Sequence, residues 1–160
     1  MSQLTLVDVF RRSTVLMDLE AKDKKSAIKE LIRHLVDKKL LKDDAEKKAE
    51  RAVLKREAQG STAIGKGLAI PHAKGCNFVR DVVGVFARSR SGIPFDSVDG
   101  GAVHVLFLVL SPEDKLAEHT HIMKRIAKLL FDEKTLRYLA TDERLASLEE
   151  IFKEVDDHFS

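Results

Sequence analysis

The 160-residue chain has no tryptophan, one tyrosine, three prolines and a single cysteine, Cys76. One cysteine excludes an internal disulfide, and Cys76 has no companion at metal-ligand spacing, which fits a reducing, cytoplasmic setting. Long apolar runs are missing too. The longest, Val103 to Leu110, contains His104 and is far too short to span a membrane. The start, Ser2-Gln3-Leu4-Thr5, lacks the basic region and apolar core of a secretion signal. Neither sign of charge dominates, with 28 Lys and Arg against 26 Asp and Glu. No basic stripe interleaved with aromatics is present, which argues against nucleic acid as a partner. No repeat, low-complexity tract or linker divides the sequence. A single domain over residues 1–160 is expected, large enough to bury a core without disulfides or a structural metal.

What is present reads as helices bracketing a block of strands. Val15 to Leu19 suits a short strand, and Asp23 is placed to cap a helix whose stripe is Ala27, Ile28, Leu31, Ile32, Leu35 and Val36. His34 falls between stripe positions and reads as a solvated helix-face histidine. A second, strongly charged helix runs from Asp43 or Asp44 through Ala49, Val53 and Leu54 to about Glu57, stopping at Gln59-Gly60-Ser61-Thr62. Val82 to Arg88 and Val103 to Leu110 read as strands, the second apolar on both faces and so central. Ser91-Gly92-Ile93-Pro94 and Asp99-Gly100-Gly101 supply turns. The last third predicts helices over Asp114 to Leu130, Glu133 to Ala140 and Arg144 to about Phe159, the last with Leu145, Leu148, Ile151, Phe152 and Val155 inward.

One of the three prolines precedes the most informative residue, His72, in the run Gly67-Leu68-Ala69-Ile70-Pro71-His72-Ala73. Pro71 stiffens the backbone entry and Ala73 leaves the ring uncrowded. A neutral imidazole is both a good nucleophile and a good leaving group, which suits a group that accepts a phosphoryl and gives it away. The preceding Gly60-Ser61-Thr62-Ala63-Ile64-Gly65-Lys66 has the spacing of a nucleotide-binding P-loop. Position 67 is glycine where a magnesium-holding hydroxyl belongs, and a helix precedes the loop where a strand should, so nucleotide binding is not expected. Those glycines remain a candidate cradle of backbone N–H groups for an oxyanion.

The remaining histidines offer less. At about 100° per residue, His119 falls on the apolar stripe with Leu116, Ile122, Met123, Ile126 and Leu130, while His121 points roughly 200° away. The two cannot chelate one ion, and no metal site is expected. His119 reads either as a core histidine bonded to a carbonyl or as part of a crevice at the first turn of its helix. His104 reads as a hydrogen-bonded structural residue, and His158 carries no signal.

Several ordered blocks together resemble a known family. They are Arg56-Glu57-Ala58-Gln59-Gly60-Ser61-Thr62-Ala63-Ile64-Gly65, then Gly67 to His72, Ile93-Pro94-Phe95-Asp96-Ser97-Val98-Asp99-Gly100, Val103 to Phe107, Leu110-Ser111-Pro112, and His119 with Ile126-Ala127-Lys128-Leu129-Leu130. The chain is similar throughout to the enzyme IIA domains of the fructose/mannitol class of the bacterial phosphoenolpyruvate-dependent phosphotransferase system, and most like the stand-alone nitrogen-regulatory IIA proteins. The resemblance implies an α/β fold with a mixed β-sheet flanked by helices on both faces. It implies that His72 accepts the phosphoryl group, that Arg56 is the cation beside the phosphate and that His119 is the second active-site histidine, with Ser61 and Thr62 in the loop lining the site. The implied donor is HPr or an HPr paralogue, and the implied downstream partner is an enzyme IIB domain or a regulatory protein, with no cofactor, nucleotide or metal. A stand-alone IIA subunit of a sugar transporter, and a regulatory binding domain that no longer transfers phosphate, are the alternatives. Ala63 and Ala73 depart from the family's usual glycines, and each should disfavour a local backbone with positive φ.

Overall fold

A computed structural model describes residues 3–142 and 144–158. Helix α1 (Leu6–Val9) opens on a reciprocal cap in which the Thr5 hydroxyl accepts from Asp8 N–H and the Asp8 carboxylate from Thr5 N–H. Strand β1 (Val15–Leu16) follows and is shorter than the expected Val15–Leu19. Asp23 caps α2 (Lys24–Asp37) by accepting from Ser26 N–H, and the whole predicted stripe is buried. His34 differs from the solvated reading: it is half-buried and its Nε2 lies 2.9 Å from the Ser13 carbonyl. That carbonyl can only accept, so the ring donates and ties α2 to the segment before β1. Helix α3 (Glu46–Ala58) begins one turn later than read, because Asp43–Ala45 winds as a 3₁₀ turn.

Three short strands the periodicity did not reveal come next: β2 (Ala63–Gly65), β3 (Leu68–Ala69) and β4 (His72–Ala73). Two- and three-residue strands are too short for alternation to register. Strand β5 (Val83–Ile93) runs five residues past the expected Arg88 and absorbs the predicted Ser91-Gly92 turn as an irregularity between Arg88 and Ile93, with Gly92 at φ 84°. Strand β6 (Val103–Leu110) matches its prediction. Helices α4 (Leu116–Ala127), α5 (Glu133–Thr141) and α6 (Leu145–Asp157) complete the chain, with 3₁₀ turns on both sides of α4. The expected extension of the last helix to Phe159 and the inward placement of the Leu145 side chain lie outside the described residues.

The sheet order is β1-β5-β6-β3-β2, with β4 also on β6. It is mixed: β5 and β6 are antiparallel, whereas β1 runs parallel to β5, and β3 and β4 run parallel to β6. Alternation along β6 divides the core. Leu106, Leu108 and Leu110 pack with α2 and α3, and Val105, Phe107 and Val109 pack with α1, α4, α5 and α6. Both faces are therefore covered, which is why β6 is apolar throughout. Burying a side chain such as Ile32 or Leu35 contributes roughly 2 kcal/mol. On the second face Phe10, Phe86, Phe107 and Phe152 form a cluster of edge-to-face and tilted ring pairs with centroids 5.0–6.0 Å apart. Gly84 makes room for it, since a Cβ there would lie 2.5 Å from the Leu108 carbonyl oxygen and 2.8 Å from the Phe10 ring.

One buried ion pair holds the second face together. The Asp156 carboxylate accepts from Arg125 at 3.0 Å, from Leu6 N–H at 2.7 Å and from Val7 N–H at 3.1 Å, joining α1, α4 and α6. Removing one member leaves a buried charge uncompensated. Asp156→Ala should lower the unfolding free energy by about 3 kcal/mol in urea denaturation. Glu149→Ala, which removes the exposed pair with Arg12, should cost a small fraction of that.

Candidate functional site

The site is built where α3 hands the chain to the edge of the sheet. The helix closes with Gly60 N–H donating to the Glu57 carbonyl, and Gly60 turns the chain at φ 148°. Strands β2 and β3 then form a hairpin whose two-residue turn, Lys66-Gly67, has both φ values positive, 54° and 79°. Strands β3 and β4 continue along β6 in one register, Leu68 opposite Val105 and His72 opposite Val109. Pro71 sits between them, accepting from Val109 N–H at 3.1 Å. His72 thus enters on a rigid edge.

The P-loop spacing falls on this strand-turn-strand, and Lys66 reaches away, to the Leu130 carbonyl at 2.9 Å and Glu133 at 3.3 Å. Four amides of the candidate oxyanion cradle are already committed within the protein. The N–H groups of Gly60, Thr62, Ala63 and Lys66 donate to Glu57 carbonyl, Glu57 carboxylate, Ser61 hydroxyl and Asp99 carboxylate respectively. Neither Ala63 nor Ala73 adopts a positive φ, so both departures from glycine are accommodated.

His72, Arg56, Thr62 and His119 line one open groove of about 1000 Å³. Ser61 is not brought into its lining: its hydroxyl donates to the Phe95 carbonyl at 2.6 Å and accepts from Ala63 N–H. The His72 and His119 rings lie 5.5 Å apart at 50°. His72 Nδ1 is 2.8 Å from the Ile70 carbonyl oxygen. A carbonyl only accepts, so Nδ1 carries the proton and Nε2 keeps its lone pair. His119 Nδ1 lies 2.6 Å from the fully buried Ser111 hydroxyl. Its partner is therefore a hydroxyl, where a buried-core reading anticipated a carbonyl.

Burial makes both rings reluctant to protonate. It lowers the His72 pKa against the Ile70 carbonyl, which raises it, and the positive charge of Arg56 lowers it further. His119 is pushed down to about 4, first by burial and then by the charge His72 carries when protonated and by that of Lys74. Cations surround the two neutral rings. Lys55, Arg56, Lys74 and Lys124 line the groove, and none of the lining side chains is acidic. An anion of two or three oxygens placed on Nε2 of His72 would meet these cations, with the buried Glu57 carboxylate as the opposing charge acting on the ring. Arg56 is already oriented by donating to the Gly60 carbonyl at 2.8 Å.

Two residues of the site escaped the sequence reading. Glu57 is buried and holds Thr62, and Ser111 holds His119. For Glu57 a signal existed: it falls on the stripe of Ala49 and Val53, where a carboxylate has to find partners. The other histidines stay apart. His104 Nδ1 meets the Ser89 carbonyl at 2.9 Å, consistent with a structural role, and neither His121 nor His158 lines the groove. Among the described residues no group of three or more His, Cys, Asp or Glu is placed to hold a metal, and no helix is long and apolar enough to cross a membrane. Cys76 is buried and its thiol pKa is pushed up by that burial.

Residues 8–155 match the family model described as phosphoenolpyruvate-dependent sugar phosphotransferase system, EIIA 2. A nitrogen regulatory protein of Klebsiella oxytoca is 35% identical over 153 residues, 96% of this chain and 93% of the relative. The fructose-specific EIIABC component of Bacillus subtilis is 29% identical over 96% of this chain, which spans 24% of that larger protein. The crystal structure of nitrogen regulatory protein IIA-Ntr from Neisseria meningitidis superposes with a TM-score of 0.82 at 26% identity, covering 91% of this chain and 97% of that one. It has the same mixed sheet between helices.

The lowered pKa of His119 has a consequence for stability. Between about 4 and the ordinary 6.5 the unfolded chain binds a proton at this residue that the folded chain does not. Stability should therefore be fully present above pH 6.5 and decline as pH falls through that window. In urea titrations across pH 7 to 4, His119→Gln should flatten the decline; an unchanged slope would place the titrating group elsewhere.

Proposed function

Because this chain belongs to the EIIA 2 family of the phosphoenolpyruvate-dependent sugar phosphotransferase system, we propose that it is a phosphohistidine carrier in which His72 accepts a phosphoryl group from HPr or an HPr paralogue. The observation that carries the reading is the fixed tautomer of His72, with Nδ1–H on the Ile70 carbonyl and Nε2 free for attack. In the transfer, Nε2 attacks phosphorus and the N–P bond of the donor breaks, its electron pair returning to the donor ring. The His72 ring gains positive charge as the bond forms, and the Ile70 carbonyl opposite Nδ1–H stabilises it. The transition state is loose, with charge on the equatorial oxygens. Arg56 supplies a planar cationic fork for that charge.

His119 takes the donor role in this reading. It is not needed to hold the His72 tautomer, which the Ile70 carbonyl already fixes. The donor role requires the Ser111 hydroxyl to donate to Nδ1 of His119, which puts the proton of the neutral ring on Nε2, where a phosphate oxygen can accept it. Thr62 shapes the groove wall and Ser61 fixes the loop behind it. No proton has to leave His72 during the step, so general acid or base chemistry is not needed.

The downstream role we favour is nitrogen-regulatory: the phosphorylation state of His72 governs binding to a regulatory protein in the cytoplasm. The higher identity to the nitrogen regulatory relative supports this choice. Similarity to a fructose-specific component supports the second reading, donation to an enzyme IIB cysteine. Discharge of the phosphorylated protein to a sugar-linked IIB domain would select the second. Cys76, buried and kept as thiol, is not the acceptor.

Incubation with phosphoenolpyruvate, enzyme I and HPr should label the protein in acid-labile form. His72→Ala should take up no label, and Arg56→Ala should be labelled about 100-fold more slowly. Acid-labile uptake by His72→Ala would refute the assignment. The wild-type labelling rate should be level at neutral pH and fall on acidification only below 6.5, because protonating Nε2 removes the attacking lone pair.

A further inference from the structure

Glu57 touches no group that reacts in the transfer, yet few side chains beside the groove are so fully engaged. It is 6% exposed, on the inner stripe of α3. A carboxylate buried there is costly unless its oxygens are satisfied. Three donors do so: Thr62 N–H at 2.9 Å, the Thr62 hydroxyl at 2.5 Å and Lys24 Nζ at 3.2 Å. Lys24 is itself held, by Asp96 at 2.9 Å and over the Phe95 ring at 5.2 Å. The Phe95 carbonyl in turn accepts from Ser61. The loop leaving α3 is thus fixed at both Ser61 and Thr62.

From Thr62 the restraint passes to the histidine. The Thr62 carbonyl accepts from Ile70 N–H at 2.9 Å, and the Ile70 carbonyl accepts from His72 Nδ1–H at 2.8 Å. Ile70 is clamped at its N–H, while Pro71 restricts the backbone that follows. We infer that Glu57 is a positioning residue for His72: by anchoring Thr62 it places Ile70, and Ile70 selects the Nδ1–H tautomer and aims Nε2 into the groove. Only the rate consequence rests on the carrier function; the effect on the tautomer does not.

Ring ¹⁵N shifts of His72 in the unphosphorylated full chain at pH 8 read the tautomer directly. Wild type should give the Nδ1–H form alone. Glu57→Ala, which removes every acceptor from Thr62, should give a mixture of tautomers and slow labelling from phosphorylated HPr roughly 10- to 100-fold. Glu57→Gln retains an oxygen for Thr62 N–H and should restore the wild-type tautomer and most of the rate. A Glu57→Ala protein that unfolds cooperatively in urea and keeps the pure Nδ1–H form overturns the inference, whatever its rate. Should Glu57→Ala not fold, Glu57→Leu keeps the volume and removes both acceptors of Thr62; a mixture supports the inference and a pure Nδ1–H form overturns it. Absence of label on wild type would refute the carrier function and leave the tautomer comparison to decide the role of Glu57.

Discussion

The bond from His72 Nδ1–H to the Ile70 carbonyl decides which nitrogen of the ring is the nucleophile, and most of the surrounding structure serves to hold it. A bond between residues two apart would be easily lost in a mobile loop. Here it sits on the sheet edge, with Leu68 and His72 in register on β6 and Pro71 between them. β6 is in turn the central strand, covered on both faces by the two apolar clusters. The cost of ordering a reactive side chain is thereby met by the core as a whole.

Electrostatics then set what the nucleophile can do. Burial keeps both His72 and His119 neutral near pH 7, while Arg56, Lys55, Lys74 and Lys124 line the groove with positive charge that the buried Glu57 carboxylate offsets only in part. A neutral ring in a cationic groove is reactive toward a phosphoryl group and tolerant of the charge that arrives with it. The same field discourages a proton on Nε2, so the two requirements support each other.

Much of this was legible in the sequence, for reasons that can be named. The stripe from Ala27 to Val36 and the apolar run of β6 are long enough for periodicity to register, and both were placed correctly. Strands β2, β3 and β4 were invisible because two or three residues cannot establish an alternation; β3 and β4 are held by register on β6, and β2 by pairing with β3. The extension of β5 through Ser91-Gly92 was hidden because a bulge uses the residues that otherwise signal a turn. His72, Arg56 and His119 stood out through family blocks, and the structure brings them to one groove. The loop amides look like a cradle in sequence, but Thr62 and Ala63 N–H are taken by the nearby Glu57 and Ser61 side chains, and Lys66 N–H by Asp99, a long-range contact that only the fold supplies. Ser111 acts through His119, a partner that packing supplies, whereas Glu57 is signalled by its place on the stripe of Ala49 and Val53.

The most direct test of the account is to locate the phosphoryl group by ¹⁵N and ³¹P NMR on protein phosphorylated through HPr. The account predicts a single N–P coupling, to Nε2 of His72, with Nδ1 still protonated and hydrogen-bonded. A phosphoryl group on Nδ1 of His72, or on any other residue, would contradict it.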